Sequence, residues 1–90
     1  MSRLANLNRR EQEFMQDVAQ SRADHQRRYA ANLQESIAFV RLAYTFEREA
    51  NAEIERLTSK SQENLKKATE FNEDDLLFLS WIKTKRLQYE

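Results

Sequence analysis

The chain has 90 residues, with fifteen basic and fifteen acidic side chains and a formal net charge of zero. A chain this short allows one domain with a small core, and the absence of Cys excludes disulfides and thiolate metal sites. The balanced charge argues against a dedicated nucleic-acid binder, which normally has a basic excess.

The sequence also contains no Gly and no Pro, although average usage would give about ten of the two together. Many tight turns need Gly or Asn at positive φ, so a sheet protein is not expected. Good helix formers fill most positions. We predict an all-α protein in which residues 1–90 form a single helical domain. A long N-terminal helix and one or two shorter C-terminal helices would form a helical hairpin or coiled-coil-like bundle that oligomerisation completes.

An apolar stripe runs through the first part of the chain with a spacing of three or four residues. Its members are Leu4, Leu7, Phe14, Met15, Val18, Tyr29, Leu33, Ile37, Val40, Tyr44 and Ile54. This spacing is typical of one face of an α-helix, and it predicts a helix over about residues 3–57. Arg22 and His25 occupy stripe positions, and Ser21 with Asp24 resembles a capping box. We favour a polar layer inside one helix over a break there.

The segment SIAFVRLAYTF, residues 36–46, is apolar on two sides. The main stripe takes Ile37, Val40 and Tyr44. A second stripe, centred about 130° away around the helix, takes Phe39, Leu42, Ala43 and Phe46. One neighbouring helix can cover only one stripe, so the second stripe predicts contact with a further helix. The composition also suits a strand, but no turn signals flank the segment and it continues the helical stripe.

Polar residues replace the apolar pattern in TSKSQEN, residues 58–64. Ser59 and Gln62 have the spacing of a capping box. We therefore predict a hairpin corner at about residues 58–62 and a short helix over about 63–70, in which Glu63 and Lys67 have the spacing of an i,i+4 ion pair.

A strong helix start follows at Asn72. Asn is a favoured N-cap, acidic residues 73–75 suit the positive end of the helix dipole, and Phe71 with Leu76 has the spacing of a hydrophobic staple. The sequence predicts a capped terminal helix over about 73–88 that is apolar on nearly every side. Folding back from the corner would bring Phe78 and Trp81 toward Phe46 and Phe39.

No catalytic constellation is visible, because a phosphate-binding loop needs Gly and His25 has no patterned partner. We predict a protein that is not an enzyme, with no catalytic residues, cofactor or metal. Its function would be protein–protein interaction or assembly, first with itself as a homo-oligomer. The alternative is a small adaptor, chaperone or inhibitor that binds a different protein. The predicted partner-binding residues are Ile37, Phe39, Val40, Leu42, Tyr44, Phe46, Leu76, Phe78, Trp81 and Ile82.

A further alternative is nucleic-acid binding through N-terminal arginines. Residues 1–28 contain six Arg against four acidic residues, and the possible anion contacts are Arg3, Arg9, Arg10, Arg22, Arg27 and Arg28. The interleaved acids, with Asp24 and Arg28 spaced as an i,i+4 pair, favour a solvated helix face instead.

The N-terminus has no apolar signal-peptide region, and neither apolar run reaches the ~20 residues of a membrane span. A cytoplasmic protein is expected, with secretion without a cleaved signal as the alternative.

Overall fold

The computed structural model describes residues 2–89, which form three α-helices and no strand. These are α1 (Arg3–Ala43), α2 (Glu47–Thr69) and α3 (Glu73–Tyr89). The prediction of an all-α fold is confirmed. None of the described helices is long and apolar enough to cross a membrane.

The helices divide into two compact units, each of which is described by itself. The central unit is Arg22–Thr69 and contains the second half of α1 together with α2. The terminal unit contains the part of α1 that ends at Ser21 and the chain from Glu70 onward, including α3.

Helix α1 is continuous through the polar positions of its stripe. It begins after Ser2, whose Oγ accepts a hydrogen bond from the backbone N–H of Ala5 at 3.0 Å, the contact expected of an N-cap. Ser21 does not start a new helix, because residues 21–25 are helical. Arg22 and His25 are half-buried, so the favoured interpretation, a polar layer within one helix, is confirmed.

The predicted end of the first helix at residue 57 is wrong. Helix α1 ends at Ala43, and the three residues 44–46 link it to α2. Tyr, Thr and Phe are all modest helix formers. Glu47 and Glu49 then place negative charge in the first turn of α2, where the helix dipole favours it. The backbone N–H of Ala50 donates to the carbonyl of Phe46 at 3.0 Å and closes that first turn.

The predicted corner at 58–62 and the separate short helix at 63–70 are also wrong, because this segment lies inside α2. The hydroxyl of Thr58 donates to the carbonyl oxygen of Ile54 at 2.8 Å, an internal contact that lets Thr remain within a helix. Glu63 and Lys67 form the expected ion pair at 3.4 Å. The polar residues of this segment therefore belong to a continuous helix, most of them on its exposed surface, and not to a turn.

Helix α3 begins where the cap signals place it and ends at Tyr89, one residue beyond the predicted 88. The backbone N–H of Asp75 donates to Oδ1 of Asn72 at 2.8 Å. The N–H of Asn72 donates in return to Oδ2 of Asp75 at 3.3 Å. This reciprocal pair is a capping box. Phe71 stacks on Phe14, with ring centroids 6.2 Å apart.

In the central unit, α2 runs antiparallel to the second half of α1. One end of the pair is the link at 44–46, and at the other end Nε of Arg22 donates to the carbonyl oxygen of Thr69 at 3.1 Å. Val40 and Ala50 are buried between the two helices. Two helices bury only one face each, so the core of this unit is small.

In the terminal unit, α3 runs antiparallel to the first part of α1. Phe14 contacts Phe78, with centroids 4.9 Å apart, and Arg86 binds Glu11 and Asn8 near the start of α1. The predicted approach of Phe78 toward Phe46 depended on a corner at 58–62, and those residues are helical. Among the described residues of this unit, Leu7 and Ile82 are the buried hydrophobic ones.

Candidate protein-interaction surfaces

The turn surface consists of four large apolar side chains at the α1–α2 link, namely Phe39, Leu42, Tyr44 and Phe46. Their exposed fractions are 71%, 88%, 39% and 65%. The arrangement follows from the two stripes of residues 36–46. Helix α2 covers the main stripe at Val40, which is buried, and leaves the second stripe and Tyr44 of the main stripe exposed.

A groove lies beside the turn surface in the central unit. It has a volume of about 460 Å³ and is lined by Glu35, Ser36, Phe39, Val40, Tyr44, Glu53 and Leu57. Arg56 binds Glu53 through both its Nε and a terminal nitrogen. These hydrogen bonds hold the pKa of Glu53 below its ordinary value. The groove is therefore lined mainly by apolar side chains, together with the exposed Glu35 and the ion-paired Glu53.

The outward face of α3, called here the α3 face, is the second apolar surface. It consists of the exposed positions Leu76, Leu77, Ser80, Trp81, Thr84 and Leu87. Leu77 and Leu87 are 62% and 69% exposed, whereas Ile82 on the opposite side of the helix is buried. The exposed Lys83 borders this face beside Leu76 and Leu87, but the six positions themselves are uncharged, whereas the outer side of a helix on a small core is normally polar.

Trp81 is held in place on the edge of the α3 face. The guanidinium carbon of Arg10 lies 5.0 Å from the centroid of the indole ring, within the range of a cation–π contact. Phe78 supports the ring from the inner side, at a centroid distance of 6.2 Å. Trp81 remains 39% exposed, so one part of a restrained ring faces solvent.

The structure separates the ten predicted partner-binding residues into three groups. Val40 and Ile82 are buried core residues, and Ile37 and Phe78 are half-buried. The exposed members are Phe39, Leu42, Tyr44 and Phe46 in the central unit and Leu76 and Trp81 in the terminal unit. Sequence reasoning did not select Leu77 and Leu87. The signal that could have found them is the run of uncharged residues at helical spacing from Leu76 to Leu87.

Four of the six predicted anion-contact arginines interact with groups of the same chain. Arg9 pairs with Glu13 at 3.9 Å, Arg10 lies over Trp81, and Arg22 binds the carbonyl of Thr69. Arg27 pairs with Asp24, in place of the i,i+4 pair expected between Asp24 and Arg28. Nucleic-acid binding through this set stays a prediction.

Titratable side chains form no cluster suited to a metal ion within residues 2–89. His25 lies beside Tyr29 in the polar layer, with ring centroids 6.5 Å apart.

No protein-family model matches the sequence, and neither a curated protein nor a solved structure matches it. The two apolar surfaces are therefore the basis of the functional proposal.

Proposed function

We propose that this protein is a non-enzymatic assembly module that binds protein chains by burying the turn surface and the α3 face. Its first partner is a second copy of itself. The process is the packing of helix on helix, with no covalent chemistry and no cofactor.

The observation that supports this proposal is the exposure of Phe39, Leu42 and Phe46, at 71%, 88% and 65%. Single exposed apolar residues are ordinary, but a contiguous group is typical of an interaction site. Fully burying each such side chain gives about 1.5–3 kcal/mol before the ordering costs of association. Three side chains of this size are enough to affect whether two chains associate.

Self-association is favoured by two features of the chain. Its formal net charge is zero, so long-range repulsion does not keep copies apart. Among residues 2–89, each unit buries two hydrophobic residues, Leu7 with Ile82 and Val40 with Ala50, and chains with small cores commonly gain stability by oligomerising. Two-fold dimers are the commonest closed assembly.

Binding to a different protein is the second candidate, and the groove of the central unit favours it. Its apolar lining and the exposed carboxylate of Glu35 suit an amphipathic helix that has a basic residue beside its apolar face. This partner would make the chain a small adaptor, chaperone or inhibitor.

The test is light scattering behind size exclusion over a series of loading concentrations. We expect the wild type to have the mass of a dimer or larger species, and Leu42→Glu to lower that mass. Gln62→Glu, which adds the same charge at an exposed position of α2, is the matched control and should leave the mass unchanged. A folded wild-type monomer at every concentration would refute self-association. Recovery of a stable complex with a basic amphipathic peptide would then favour the second candidate.

A further inference from the structure

Helix α3 is apolar on two opposite sides. Its inner side packs on α1 through Phe78 and the buried Ile82. The α3 face points away from that contact and continues for three turns, from Leu76 to Leu87. A stripe of this length and straightness matches the footprint of one further helix.

The charges of α3 are separated along its length. Glu73 and Asp74 lie in the first turn and are exposed, whereas Lys83 and Lys85 lie toward the other end. Three charged residues have partners within the unit: Asp75 accepts a hydrogen bond from the N–H of Asn72, Lys85 donates to Oε1 of Gln88 at 3.4 Å, and Arg86 binds Glu11. A helix with an acidic start and a basic end is complementary to an antiparallel copy of itself. A parallel copy would place acid against acid and base against base.

We infer that two copies of this chain pair through their α3 faces, antiparallel, about a two-fold axis near Ser80. The inference rests on the proposed function, because it names the partner and the orientation of one of the two surfaces. In this arrangement the acidic turn of each helix approaches Lys83 and Lys85 of the other, and the two helix dipoles oppose each other favourably. The same residues contribute from both copies, as a two-fold interface requires.

The side chains of the α3 face have sizes that suit close helix packing. Ser80 and Thr84 are small and lie between the larger Leu77, Trp81 and Leu87, which leaves grooves into which the ridges of a second helix fit. Arg10 already restrains the indole of Trp81. A restrained aromatic residue loses little entropy on binding, and such residues are common centres of interface affinity.

A single-cysteine experiment tests the pairing directly. The chain has no Cys, so any disulfide formed by Ser80→Cys must join two copies. Under a mild oxidant we expect Ser80→Cys to form dimers at least about tenfold faster than Ser59→Cys, because a held contact gives a high effective concentration. Ser59 is an exposed residue of α2 and reports chance collision.

The orientation is tested with cysteines at the two ends of the helix. Glu73→Cys and Gln88→Cys are mixed, one of them with a mass tag. An antiparallel pair gives mainly the mixed disulfide, because each end of one helix meets the opposite end of the other. A parallel pair gives the two unmixed disulfides and would overturn the inference.

The single Trp of the chain, Trp81, gives an independent readout. Its emission should shift to the blue as concentration rises and pairing removes it from water, and Leu77→Glu should abolish both the shift and the Ser80→Cys disulfide. A dimer by light scattering in which Ser80→Cys reacts no faster than Ser59→Cys would overturn the α3 pairing and leave the proposed function standing. A monomer at every concentration with no enhanced disulfide would refute both.

Discussion

The guanidinium Nε of Arg22 donates a hydrogen bond to the carbonyl oxygen of Thr69 at 3.1 Å, so a cation on α1 caps the carboxyl end of α2. The last four carbonyls of a helix have no partner within it, and the dipole makes that end negative. Arg22 satisfies one of these carbonyls with a charged donor. This hydrogen bond explains why an Arg occupies this position of the apolar stripe.

Replacing Arg22 with Ala should lower the free energy of unfolding by about 1.5–3 kcal/mol, the usual range for a hydrogen bond that involves a charged group. Arg22→Lys should retain part of this, because it keeps the charge near the helix end but loses the planar donor. Urea denaturation followed by circular dichroism measures the change. Arg28→Ala, at an exposed position of the same helix, is the control. Equal effects of Arg22→Ala and Arg28→Ala would show that the cap has no energetic role.

Asn72→Ala should destabilise the protein by about 1 kcal/mol, because it removes the side chain that caps α3. Asn72→Asp should be nearly neutral, since a carboxylate accepts the same bond from the N–H of Asp75. Asn64→Ala is the matched control. Asn64 is an exposed residue within α2, where Ala is the better helix former, so stability should stay the same or rise slightly. The same denaturation assay applies, and a loss in Asn64→Ala as large as that in Asn72→Ala would contradict the assignment of the cap.

The start of α3 could be predicted from sequence because its signals are local. Asn72, Asp75 and the acidic first turn act within four residues, and no distant part of the chain has to be known. The link at residues 44–46 gives a much weaker local signal for a helix end. No described residue has positive φ, so the link needs neither Gly nor Asn. Its three modest helix formers are a weaker signal than the apolar stripe, which continues through them and predicts an unbroken helix.

The false corner at 58–62 has a different physical cause. Ser and Thr can cap a helix or bond within one, and only the structure shows that Thr58 bonds to the carbonyl of Ile54.

The candidate surfaces could be predicted from the sequence only in part. The two stripes of residues 36–46 could be read from spacing, but which one α2 would cover depends on where the chain turns. Val40 was therefore assigned to a partner surface together with Phe39, although Val40 is buried and Phe39 is exposed.

The ion pair of Glu53 and Arg56 should make a small part of the stability depend on pH. The hydrogen bond from Arg56 holds the pKa of Glu53 below its ordinary value in the folded protein. A carboxylate with a lowered folded-state pKa stabilises the fold above its unfolded pKa, and the contribution is lost as pH falls through the folded pKa. The stability difference between wild type and Glu53→Gln should therefore shrink toward zero in acid.

The control for this prediction is the same comparison in an Arg56→Gln background. Without the arginine, Glu53→Gln should produce little pH-dependent difference, because the hydrogen bond that lowers the pKa is absent. Denaturation curves recorded from neutral pH downward give both comparisons. An undiminished difference at acid pH would assign the effect to packing and not to the ion pair.

Truncation to Ala should affect the stability of a single chain strongly on the inner side of α3 and little on its outer side. Ile82 is 1% exposed, so Ile82→Ala should cost about 2–5 kcal/mol of unfolding free energy. Leu77 is 62% exposed, and Leu77→Ala should change the stability of a single chain by less than about 0.5 kcal/mol. If α3 pairs with a second copy, however, Leu77→Ala should reduce the dependence of the melting temperature on protein concentration, since that dependence reports association. Thermal melts over a hundredfold range of concentration separate the two effects. A concentration-dependent melt that Leu77→Ala leaves unchanged would mean that the copies associate through a surface other than the α3 face.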